Sequence, residues 1–138
     1  MENYDVIIIG AGPGGYECAV HCGKLGLKVA LVEKSTAGGT CMNRGCIPTK
    51  AMLKSCEILD VAKHAEDFGI EVPSANANYQ KICEYRDATV KKLNEDLLRL
   101  FKKSKVDYIE GVAKVSPGCV TVMTAEGEQE LNSERIVL

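Results

Sequence analysis

Cys41 and Cys46 stand five positions apart in the run Gly38-Gly39-Thr40-Cys41-Met42-Asn43-Arg44-Gly45-Cys46-Ile47-Pro48-Thr49-Lys50. A dithiol at that spacing can store one electron pair as a disulfide. Upstream, Gly10-Ala11-Gly12-Pro13-Gly14-Gly15 has the glycine spacing of a loop that cradles a dinucleotide pyrophosphate. A dinucleotide cofactor moves electron pairs and a dithiol holds one. Found together, they point to two-electron redox chemistry.

Spacing alone leaves the cysteine pair open to several readings. In an ideal α-helix, residues five apart lie about 8.7 Å from each other between Cα atoms, and a disulfide tolerates no more than about 7 Å. A Cys41–Cys46 bond therefore requires local distortion, which Gly45 is suited to allow. Pro48 suits the first turn of a following helix, and a helix start there would favour the thiolate. The competing readings are free core thiols, half of a zinc site, or a structural disulfide. No second Cys/His pair has ligand spacing, since His21 and His64 stand alone, and no metal site is expected.

The glycine loop needs particular elements around it. Tyr4 to Ile9 is a β-branched run that reads as a buried strand. Tyr16 to Leu25 has helical character and stops at Gly26. Lys28 to Val32 reads as a second buried strand, giving a right-handed β-α-β unit with parallel strands. Within it, Gly10 permits the tight turn, Gly12 admits the pyrophosphate, and Gly15 lets the helix pack close to the strand. First-turn N–H groups and the helix dipole favour the phosphates. Glu33, at the end of the second strand, is placed to accept hydrogen bonds from ribose hydroxyls, and an acid there argues against a 2′-phosphate. The fingerprint does not separate FAD from NAD.

Downstream, a loop from Lys34 to Thr40 leads into the cysteines, and Pro48 to Lys63 reads as a helix whose start lies at or before Pro48. His64 to Asn78 reads as a loop anchored by Phe68. Tyr79 to Lys105 reads as a long amphipathic helix with Ile82, Val90, Leu93, Leu97, Leu98 and Phe101 on one face. Val106 to Glu110, Val112 to Val115 and Val120 to Thr124 read as strands with turns at Pro117-Gly118 and Glu126-Gly127, and Arg135 to Leu138 begins another. An apolar strand start is a poor natural terminus, so the chain is expected to be a piece of something longer.

The chain has 138 residues, 26% of them charged, and a net charge of −2. That gives no electrostatic pull toward nucleic acid or anionic lipid, and no apolar run has bilayer-spanning length. Without a signal-like N-terminus, a cytoplasmic location is expected, with most of the seven cysteines reduced. Cys18, Cys22, Cys56, Cys83 and Cys119 read as small core residues, His21 as helix surface and His64 as a loop or helix-end residue.

The run from Gly38 to Lys50 closely resembles the active-site signature of the pyridine nucleotide-disulfide oxidoreductases, which include dihydrolipoamide dehydrogenase, glutathione reductase and mercuric reductase. The Ile47-Pro48-Thr49-Lys50 ending looks most like the first. The likeness extends to Val6 through Tyr16 and to Gly111-Val112-Ala113-Lys114. It implies an α/β fold: a Rossmann-like FAD-binding domain with a parallel sheet and a small β-meander, truncated, of which residues 1–138 would be the N-terminal portion. It implies FAD contacts at Gly10, Gly12, Pro13, Gly14, Gly15, Glu33, Lys34, Gly39, Thr40, Lys50, Gly111 and Ala113. Cys46 would face the flavin and Cys41 would exchange with the disulfide substrate, electrons passing to NAD⁺ through a domain beyond this chain. Partners implied are lipoamide or the lipoyl domain of a 2-oxo acid dehydrogenase complex, and a second copy in a full-length homodimer. Arg44 departs from the pattern, at a position often apolar in relatives. The NAD and interface domains being absent, this chain alone is expected not to turn over NADH. Outside that class, the competing reading is a non-enzymatic nucleotide-binding redox switch.

Overall fold

Val6–Ile9 (β2) is an aliphatic run and Val29–Glu33 (β3) is aliphatic up to its closing glutamate; both are buried almost throughout, a pattern that suits strands covered on both faces. They pair in parallel with Val6 opposite Val29, and the sheet extends to Val106–Glu110 (β4) and Ile136–Val137 (β8) in the order β4-β3-β2-β8. The computed structural model describes residues 2–138. A second sheet, ordered β1-β7-β6-β5, is built from Glu2–Asn3 (β1), Val112–Ser116 (β5), Cys119–Thr124 (β6) and Gly127–Asn132 (β7). Strands β5, β6 and β7 form an antiparallel meander, and β1 joins it in parallel with β7.

The two-residue period of the central strands sorts their side chains into two cores. Val6, Ile8, Val29 and Leu31 face helices, packing with Ala19, Val20, Leu97 and Phe101. Ile7, Ala30 and Val32 face the meander, packing with Tyr4, Val120, Val122 and Leu131. The result is three layers: helices, parallel sheet, meander. This is the expected Rossmann-like α/β arrangement.

Among the described residues, four α-helices complete the fold: Pro13–Lys24 (α1), Gly39–Arg44 (α2), Cys46–Lys63 (α3) and Tyr79–Lys103 (α4). Pro13 opens α1, where its fixed φ is pre-organised and its missing N–H costs nothing. Asn78 caps α4 by accepting from the Lys81 N–H at 3.1 Å. A Cβ on Gly15 would drive into the Gly10 carbonyl oxygen, so α1 lies against the β2 turn as closely as the backbone permits. Gly10 itself has φ +102°, the left-handed region that glycine enters freely.

Several expectations are corrected. Gly39 and Thr40, the end of the expected loop, instead open helix α2, while helix α3 starts before Pro48, at Cys46, within the expected bound. The expected loop after α3 contains a 3-10 turn, Ala65–Phe68. Phe68 anchors nothing: it is 81% exposed. Leu98 lies at the edge of the α4 apolar face and is 38% exposed. Cys56 is exposed on α3 rather than a core residue, while Cys18, Cys22, Cys83 and Cys119 are half-buried. Strands β1 and β7 were not anticipated. Five of the six β7 residues are glycine or polar, and only Leu131 is buried, so that strand is held by pairing with β6 rather than by an apolar pattern.

Candidate functional site

The cysteine pair sits where two helices meet end to end. Arg44 closes α2 and Cys46 opens α3, with Gly45 between them at φ −128°, ψ −104°, outside helical geometry. The break brings the Cys41 and Cys46 Cα atoms to 4.8 Å, and the two sulfurs form a disulfide. A continuous helix would hold those Cα atoms beyond bonding range, so the distortion expected at Gly45 is present there. Cys41 is half-buried and Cys46 exposed.

The glycine loop and the cysteine helices touch. Gly38 donates its N–H to the Ala11 carbonyl at 2.7 Å. A Cβ on Gly39 would lie 2.8 Å from the Gly12 Cα, so α2 starts directly on the glycine loop. No side chain caps α1 at Gly12, leaving its first-turn N–H groups free for another acceptor. A Cβ on Gly12 or Gly14 would meet nothing within 4 Å. That open space beside an uncapped helix start fits a pyrophosphate.

Glu33 is buried, and both its oxygens accept backbone N–H groups: Oε2 from Ala11 at 2.8 Å and Oε1 from Ser35 at 3.0 Å. It thereby ties the loop to the end of β3, with a lone pair left over on each oxygen. Glu33→Ala would leave the Ala11 N–H buried without a partner, at a cost of roughly 1–3 kcal/mol. A lowered denaturant midpoint at unchanged m-value is the expected result.

Glu33, Lys34, Gly39 and Thr40 line one cleft of about 380 Å³. Gly111 donates its N–H to the Glu33 carbonyl at 2.8 Å. With Lys34, Tyr108 and Met123 it lines a neighbouring hollow of about 690 Å³. Burial, with the Glu110 and Glu33 charges adding to it, pushes the Tyr108 hydroxyl up to about 12, so it is a neutral donor at physiological pH. Ala113 lies on β5 against the meander core, opposite Val122. Lys50 is exposed on α3 and lines neither hollow.

Two features escaped sequence reasoning. The Asn43 side chain donates to the Gly39 carbonyl at 2.9 Å and the Ala37 carbonyl at 3.0 Å, and its Oδ1 accepts from Asn94 Nδ2 at 3.0 Å. An asparagine inside a helix was the available signal, since its amide competes for nearby backbone. Arg44 lines, with Arg86, Asp87 and Lys91, a cleft of about 610 Å³ between α2 and α4. Elsewhere, burial and the adjacent Cys18 raise the Cys22 thiol above its ordinary value, which suits packing rather than exchange. Among the described residues, no group of three or more His, Cys, Asp or Glu side chains is placed to hold a metal, and no helix is long and apolar enough to cross a membrane.

Known proteins share this arrangement. The pyridine nucleotide-disulphide oxidoreductase family matches residues 4–138. A dihydrolipoyl dehydrogenase of Bacillus subtilis is 40% identical over 134 residues, covering 91% of this chain and 28% of that protein. One from Rhizobium etli is 47% identical over 123 residues, covering 88% of this chain and 26% of its own length. Among solved structures, a Cu(II) complex of the HOCl-induced flavoprotein disulfide reductase RclA from Escherichia coli superposes with a TM-score of 0.78 at 28% identity, over 99% of this chain and 28% of that one. The chain thus spans less than a third of the length of the relatives it matches. With the disulfide at a broken helix, the glycine loop beneath it and a match from residue 4 to residue 138, the chain belongs to the pyridine nucleotide-disulphide oxidoreductase family.

Proposed function

We propose that this chain is the FAD-binding, dithiol-bearing portion of a dihydrolipoamide dehydrogenase-like flavoprotein. The observation that carries the reading is the contact of Gly39 with Gly12: the helix bearing Cys41 starts on the loop that would hold the pyrophosphate. In this reading Gly10, Gly12, Pro13, Gly14 and Gly15 form the phosphate cradle. Glu33 takes the adenosine ribose, and Lys34, Gly39 and Thr40 line its cleft. Gly111 and Ala113 flank the adenine end, and Lys50 approaches the flavin ring along α3.

Bound FAD would accept the electron pair that the reduced cysteines give up and pass it to NAD⁺ held by a further domain. The chain's own part is thiol exchange. A dihydrolipoamide thiolate attacks the Cys41 sulfur, the Cys41–Cys46 bond breaks, and Cys46 leaves as a thiolate stabilised by the start of α3. The second substrate thiol then displaces Cys41, closing the lipoamide disulfide. The substrate has lost two electrons and the cysteine pair has gained them. Covering of Cys46 by a flavin ring would leave Cys41 as the sulfur open to substrate. The proposed substrate is lipoamide, free or on the lipoyl domain of a 2-oxo acid dehydrogenase complex, and the proposed assembly is a homodimer of the whole protein. The names of the relatives support lipoamide over glutathione or mercuric ion.

Gly12→Val tests the cofactor reading. The new side chain enters open space at φ −75°, ψ 179°, a conformation valine adopts, so the fold is retained. The wild-type chain should retain one FAD after gel filtration, read by its visible absorbance. The variant should bind at least roughly tenfold more weakly, through lost hydrogen bonds to charged phosphate. Equal FAD binding by both chains would remove the pyrophosphate from this loop.

A further inference from the structure

We propose that Asn94, acting through Asn43, is a positioning residue that sets the disulfide–dithiol equilibrium of Cys41 and Cys46. The inference rests on the redox reading of that pair. Asn43 lies on α2, two residues after Cys41 and three before Cys46. Its amide nitrogen is committed to the Ala37 and Gly39 carbonyls at 3.0 and 2.9 Å, which fixes α2 on the loop beneath it. Its remaining oxygen accepts from Asn94 Nδ2 at 3.0 Å, and the same Asn94 amide donates to the Val90 carbonyl at 3.3 Å. Both side chains are half-buried. Asn94 sits fifty-one residues away in sequence, on the helix whose next two turns bury Leu97 and Phe101 in the core. The bond therefore references the small, six-residue α2 to a long helix that is itself held by the core.

The consequence falls on the open dithiol. When the pair is reduced, only Gly45 joins the two helix ends, and α2 has no covalent reason to keep Cys41 beside Cys46. A staple from α4 keeps both sulfurs within reach and so raises their effective concentration toward each other. Ring closure in the forward direction costs two thiol protons and one electron pair, delivered to glutathione disulfide as the oxidant. The staple favours that closure without touching either sulfur.

The test equilibrates the chain in glutathione redox buffers, quenches with acid, alkylates free thiols and weighs the peptide bearing Cys41 and Cys46. Asn94→Ala and Asn94→Asp should each lower the disulfide-to-dithiol ratio by roughly threefold to tenfold, the worth of one side-chain hydrogen bond. Asn94→Asp keeps the shape but turns the donor into a charged acceptor that repels the Asn43 oxygen, so it reports even where the alanine chain folds poorly. The Asn43→Ala/Asn94→Ala double variant should match Asn43→Ala alone, since Asn94 acts through it. Gln80→Ala, which removes an exposed hydrogen bond to Glu84 on the same helix, should leave the ratio unchanged. A wild-type ratio in both Asn94 variants overturns the positioning role while leaving the redox pair intact. A wild-type pair that never closes in oxidised buffer instead removes the redox reading, and this inference with it.

Discussion

A Cys46→Ser chain is expected to keep its fold and lose all disulfide exchange with dihydrolipoamide. The wild-type chain, mixed anaerobically with the dithiol, should expose two new thiols; the variant should expose none. Cys41→Ser should behave alike, because each sulfur is the other's only disulfide partner. The remaining five cysteines cannot stand in for the pair, since they are unpaired and the Cys22 thiol is held above its usual value by burial. Removing so short a crosslink should lower stability by about 2 kcal/mol relative to the oxidised chain, the loop-closure entropy of a loop of about six residues. Undiminished thiol release in either serine variant would mean that another group performs the exchange.

Gly15→Ala is expected to cost more than any other single methyl group in the β2–α1 unit. The added carbon meets the Gly10 carbonyl oxygen, which is backbone and held by the turn. Overpacking against side chains typically costs about 1–3 kcal/mol, and a backbone obstacle relaxes less, so a loss of about 3 kcal/mol or more is expected. Helix α1 must move away from β2; in the proposed reading that also spoils the phosphate cradle, so flavin retention should fall together with the melting temperature. Gly14→Ala provides the contrast. Its Cβ meets nothing within 4 Å, and alanine suits a helix better than glycine, so its stability should stay within about 1 kcal/mol of wild type. Equal melting temperatures for the two variants would refute the close-packing role of Gly15.

The β-α-β unit was legible because each of its parts carries its own signal. Val6–Ile9 is aliphatic throughout and Val29–Glu33 is aliphatic up to its closing glutamate, Pro13 marks a helix start, and the glycines have few other uses at that spacing. Helix α4 was legible from its period, though Leu98 shows that an apolar residue at the edge of a stripe need not be covered. The break at Gly45 followed from a distance that no intact helix can meet. Strand β7 was hidden because its partners, not its own residues, make it a strand. Phe68 and Cys56 misled because burial was inferred from residue type, whereas the helices they belong to lie outside the two cores. The Asn43–Asn94 bond joins positions fifty-one residues apart, a pairing that no local pattern encodes.

The pairing of Ile7 with Ile136 and of Glu2 with Leu131 carries a kinetic consequence. Glu2–Asn3 and Val6–Ile9 must wait for strands far along the chain, Gly127–Asn132 and Ile136–Val137, before their ladders are complete. Loop-closure entropy is spent long before those contacts repay it, so refolding should be slow for a chain of this size, in milliseconds to seconds. Until then the apolar strand Val6–Ile9 offers an open edge to any neighbour, and nascent or refolding chains will be most prone to aggregate at that stage.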